Sequence, residues 1–144
     1  MKTKIGLNSF KSLLLAGDMQ AAITALEDSD RLCSGKYKRS DCIEIVSSYG
    51  LILLLQLVLQ IATEKVSCAG EVNLRIATLA IQRKMVEAEL LDRKKLKAAL
   101  ASVYTEALAL AKRELEQDGY DTAQLIPNLD REAILLQAIA LVFA

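Results

Sequence analysis

The sequence predicts an all-α protein, and three observations carry that prediction. Apolar residues recur at three- and four-residue spacing along most of the chain, no segment alternates as a half-buried strand does, and Pro127 is the sole proline in 144 residues. One proline leaves long helices uninterrupted. We therefore expect one domain over residues 1–144, a bundle of five to six helices around a central apolar helix at about 41–65. With 53% hydrophobic and 25% charged residues, such a chain buries a core without metals or disulfides.

Each element has a local reason. Leu7, Phe10 and Leu14 start a short helix, and Gly17-Asp18 turns the chain so that Asp18 caps a second helix with Met19, Ala22, Ile23 and Leu26 inside. The polar, glycine-bearing stretch 28–39 (DSDRLCSGKYKR) reads as a loop. Asp41 and Glu44 stand at capping-box spacing ahead of the long helix, where Gly50 marks a close crossing or a kink. Ser67–Gly70 reads as a break. A helix near 71–91 then repeats Val72, Ile76, Leu79, Val86 and Leu90 on one stripe, with Arg75, Gln82, Arg83 and Glu87 on its other faces.

Asp92 caps the next helix, whose buried edge is Leu96, Leu100, Val103, Ala107, Leu110 and Leu115, and Gly119 stops it. Residues 120–129, with Pro127, form a connector before Asp130 caps a last helix at about 131–143. Its Ile134, Leu135, Ala138, Leu141 and Val142 need cover, either from the bundle or from a partner.

Composition excludes much chemistry. There is no histidine, the usual side chain for proton transfer and metal ligation near neutral pH. Cys33, Cys42 and Cys68 are odd in number and lack Cys-x-x-Cys spacing, which argues against zinc or a disulfide framework and for reduced thiols in the cytoplasm. Glu87 and Glu89 lie on adjacent helix faces, and Glu114, Glu116, Asp118 and Asp121 cluster at a helix end without calcium-loop spacing. No glycine-rich phosphate loop occurs. The expectation is a non-enzyme with no cofactor and no metal.

Two further exclusions concern membranes. The N-terminal MKTKIGLNSFKSLLLAGDMQAA starts like a leader, but Asn8, Ser9, Lys11 and Ser12 interrupt its apolar core. LILLLQLVLQIA, residues 51–62, falls short of the ~20 residues of a spanning helix. A cytoplasmic protein with no membrane contact is expected. The net charge of zero gives no global attraction to nucleic acid and tolerates self-association. A local basic set, Arg75, Arg83, Lys84, Arg93, Lys94, Lys95 and Lys97, is the candidate nucleic-acid contact.

The order of features over residues 10–117 resembles a known family. LLLAGDMQ is followed by GKYKRSDCIEIVSS, the apolar LLLQLVLQIA, IATLAIQRKMVEAELLD and LKAALASVYTEALALAKRE. This is similar to the all-helical, bacterial and mainly cyanobacterial domain-of-unknown-function family 29 (DUF29), with Gln82-Arg83 matching its Gln-Arg pair and Ala111-Lys112 its Ala-Arg-like step. Gln60-Ile61-Ala62-Thr63-Glu64 replaces the family's His-Leu-Leu-Lys-Trp-like motif, and Lys94-Lys95-Leu96 its Pro-Ser-Leu. The resemblance implies a divergent bacterial, intracellular member and no established activity.

The functional expectation is a non-catalytic helical interaction or oligomerisation module. It binds a protein partner or a second copy through Ile134, Leu135, Ala138, Leu141 and Val142. The alternative is a nucleic-acid-associated regulator, such as a component of a small toxin–antitoxin or defence pair, using the basic set.

Overall fold

The computed structural model describes residues 7–32, 39–87 and 92–144. The predicted loop interior with Cys33 and Gly35, and Glu89 and Leu90, lie outside the described residues, as do the side chains of Leu7 and Asp41. Seven α-helices and a 3-10 turn account for most of the described chain: α1 (Leu7–Leu15), α2 (Met19–Leu32), α3 (Arg39–Thr63), α4 (Cys68–Glu87), α5 (Arg93–Gln117), α6 (Thr122–Leu125), the 3-10 turn Ile126–Asn128, and α7 (Arg131–Val142). The fold is all-α, as predicted, with more helices than the expected five to six. The extra one is α6, a single turn within the predicted connector.

The turns follow their chemistry. Gly17 (φ +83°) and Gly119 (φ +89°) both adopt the left-handed conformation that closes a helix. The N–H of Asp18 bonds back to Leu13 O and that of Tyr120 to Leu115 O, so each glycine sits in a Schellman motif. Carboxylates open three helices: Asp18 accepts from the Ala21 N–H, Asp92 from Lys94 and Asp130 from Ala133, at 3.1, 2.8 and 3.2 Å. The predicted loop at 28–39 is helical at both ends: α2 continues to Leu32, and α3 begins at Arg39. Within α2, Arg31 pairs with Asp28 one turn earlier at 2.6 Å. The break falls at 64–67, earlier than predicted, with α4 starting at Cys68.

α3 is the hub, packing most extensively on α5 and α4 and also touching α2 and α7. Every residue from Leu51 to Val58 is buried, so this stretch has no solvent face. Gly50 explains the closeness of one crossing. A Cβ there would lie 2.6 Å from Leu100 Cδ2, so any larger residue would force the Leu100 side chain to shift. By length and composition the Cys42–Thr63 segment is able to cross a membrane, a correction to the shorter span expected from residues 51–62. Burial of 78% of its most apolar window within the fold is what accounts for its hydrophobicity here.

α7 lies antiparallel along α5. Arg93 stacks over the Phe143 ring at 4.6 Å, Lys97 pairs with Glu132, and Arg131 lies 5.6 Å from the Tyr104 ring centre. Gln82 of α4 donates to Val142 O at 2.7 Å and so occupies one of the carbonyls left over at the end of α7.

Candidate functional site: the two faces of α4

α4 is where sequence and structure part. Its inward face consists of Gly70, Asn73, Ala77, Ala80, Ile81, Lys84 and Met85. Gly70, Ala77 and Ala80 are small, which allows α3 to lie close along them. The predicted apolar stripe faces outward: Val72, Leu79 and Val86 are 54%, 54% and 65% exposed, and Ile76 is half-buried between them. Seven-residue spacing aligns Val72, Leu79 and Val86 along one seam of the helix. Arg75 and Arg83 flank that seam and are exposed, with Glu71 and Glu87 at its two ends.

The predicted interface on α7 requires the opposite correction. Ile134, Leu135, Ala138 and Val142 are buried in the protein's own core, and Leu141 packs partly buried against it. The cover they need comes from α3, α4 and α5. Leu136 is the large apolar residue that α7 leaves exposed.

Lys84 is the second correction. Only 1% exposed, it is withdrawn from any phosphate surface. Its ammonium lies 2.5 Å from Asp30 of α2 and 3.1 Å from Glu87, one turn along α4. Arg83 reaches the other Asp30 oxygen at 3.9 Å. A buried charge is tolerated only with such partners, because desolvating it alone costs several kcal/mol. Tyr49 of α3 is buried close by, and its hydroxyl has no hydrogen-bond partner among the described residues. Burial first, then the Asp30 and Glu27 charges, hold its proton well above the ordinary tyrosine range.

The remaining basic residues divide. Arg93 is stacked on Phe143 and Lys97 is paired with Glu132, whereas Arg75, Lys94 and Lys95 are exposed with no ion pair among the described residues. Cys42 is buried, and Cys68, which opens α4, is exposed and in no disulfide. No family model, no curated protein and no solved structure matches this chain.

Proposed function

We propose that the protein is a non-catalytic helical interaction module that receives an acidic amphipathic helix along the outer face of α4. The observation that carries this reading is the seam of Val72, Leu79 and Val86, large apolar side chains left more than half in water at heptad spacing. Such a row is what a partner helix covers when it packs knobs into holes.

Two arguments choose the occupant. The seam runs from residue 72 to 86, about 21 Å of helix, and a handful of side chains falls short of the ~800 Å² per partner of a standard stable interface. That suits a single docked helix better than a permanent dimer. The charges agree. Two copies of α4 paired antiparallel about Leu79 would bring Arg75 of one towards Arg83 of the other. Glutamates beside a partner's apolar stripe instead meet both arginines. Cys68, exposed and in no disulfide, supports a reducing, cytoplasmic setting for this role.

The test is a titration of the full chain with a labelled helical peptide carrying leucines at heptad spacing and flanking glutamates, alongside light scattering behind size exclusion. Saturable, salt-sensitive binding that Leu79→Glu weakens at least ~10-fold is expected, because that change removes apolar contact and adds a like charge. A dimer that Leu79→Glu dissociates would replace the helix with a second copy. Equal binding by wild type and variant would end the reading.

A further inference from the structure

A separate feature lies at the end of the bundle where α3 hands over to α4. A cleft of about 300 Å³ opens there, floored by α3 and walled by α4 and the last turn of α5. That volume is at the small end for ligand sites and suits a molecule the size of an amino acid. Leu59, Met19 and Leu115 give it apolar surface.

Its floor carries a signal that folding alone does not explain. Gln56 and Asn73 are 7% and 9% exposed, both line the cleft, and neither amide hydrogen-bonds to any described residue. The sealed polar atom without a partner among the described residues is the Tyr49 hydroxyl, so the Gln56 and Asn73 amides open onto the cleft itself. Gly70 makes room for one of them: a Cβ at that position would lie 2.9 Å from Gln56 Oε1. Two largely covered amides that open onto a cleft are placed to pair with a ligand's polar groups.

The ends of the cleft have opposite signs. On one side are Lys65 and the start of α4, where Ser67 Oγ accepts from the Gly70 N–H at 2.9 Å. The Ala69 N–H, in the first turn of α4, has no carbonyl to receive it within the helix and adds to a positive terminus. On the other side Glu114 and Asp118 stand one turn apart on α5. Lost hydration, then the Asp118 charge, raises the Glu114 carboxyl above its ordinary range, so this wall favours a cation. The Schellman turn at Gly119 brings Tyr120 to the same rim.

We propose that this cleft binds a free α-amino acid. Its carboxylate lies towards Lys65 and the α4 N-terminus, its ammonium towards Glu114 and Asp118, and its polar atoms pair with Gln56 and Asn73. The site is independent of the outer seam of α4, so either reading stands without the other.

The test is calorimetric titration of the full chain with each of the twenty free L-amino acids, with n-butylamine and butyrate as half-ligands. At least one amino acid should bind saturably, with each half-ligand weaker by about 10-fold or more. Glu114→Gln and Lys65→Met lie on the rim and leave the core intact; each should weaken binding by a similar factor. Gln56→Leu should abolish binding while the free protein keeps its cooperative melt, since it removes an amide that makes no bond within the fold. Three results overturn the proposal: no heat and no melting shift with any amino acid at about 10 mM, half-ligands that bind as well as the whole molecule, or undiminished binding by the Glu114→Gln and Lys65→Met proteins.

Discussion

α4 and α7 carry comparable apolar residues, yet one shows them to water and the other buries them. On α7 the apolar positions fill two neighbouring rows, Ile134, Leu135, Ala138, Ile139 and Val142, a face wide enough to settle against three helices at once. On α4 the large residues form a narrow seam, and the opposite face is small or mixed. Close packing prefers the small face where helices cross tightly, and the large side chains are left outside. The contacts also differ in kind. α7 turns a row of aliphatic side chains inward, whereas the inner face of α4 carries Lys84 to the buried Asp30.

The largest test removes α7. A chain ending at Leu129 loses the burial of Ile134, Leu135, Ile139 and Val142, worth about 6 kcal/mol or more at ~1.5–3 kcal/mol per side chain. Total stability is only about 5–15 kcal/mol. The truncated chain should lose its cooperative melt by circular dichroism. A folded, soluble product would show that α7 is dispensable to the fold, as a helix given over to a partner would be.

The next test enters the polar layer beneath α4. Asp30→Ala removes the carboxylate nearest the buried Lys84 ammonium and should cost about 3 kcal/mol in urea titrations. Lys84→Met should cost less, because Arg83 at 3.9 Å still faces the buried Asp30 carboxylate. Equal losses would mean that Arg83 does not compensate Asp30 once Lys84 is gone. On the two faces of the same helix, Ala77→Leu should cost about 1–3 kcal/mol by overfilling the contact with α3, while Leu79→Ser should stay within about 0.5 kcal/mol.

Much of this architecture was legible because its determinants are local. Asp18, Asp92 and Asp130 announce helix starts, Gly17 and Gly119 announce stops, and the α5 edge from Leu96 to Leu115 follows from spacing. Gly50 was readable as a crossing, though only the position of Leu100 distinguishes that from a kink. The facing of α4 was not legible, because periodicity reports a stripe without reporting what covers it. Lys84 is the sharper case. In sequence it belongs to a basic run; its role depends on Asp30, 54 positions earlier, which no spacing rule connects to it. The cleft was hidden for a related reason. Glu114 and Asp118 were visible as helix-end charge, but Gln56 and Asn73 look like ordinary polar residues until α3 and α4 enclose them.

The smallest effect concerns Tyr49, which completes the contrast between the aliphatic inner face of α7 and the polar one of α4. Its hydroxyl is buried without a partner among the described residues, so Tyr49→Phe should raise stability by about 1 kcal/mol near neutral pH. The pH dependence gives a second readout. In the unfolded chain the phenol releases its proton at its ordinary pKa of 10.0, while in the fold burial and the Asp30 and Glu27 charges keep it protonated to higher pH. Above that value the unfolded state binds fewer protons than the folded one, so stability falls as pH rises. Tyr104, also raised by burial, contributes the same sign of slope in both proteins. Urea titrations of wild type and Tyr49→Phe at pH about 8 and about 11 should therefore show a smaller alkaline loss in the variant. Parallel losses would place Tyr49 in contact with water, and the layer beneath α4 would then be wet where we describe it as sealed.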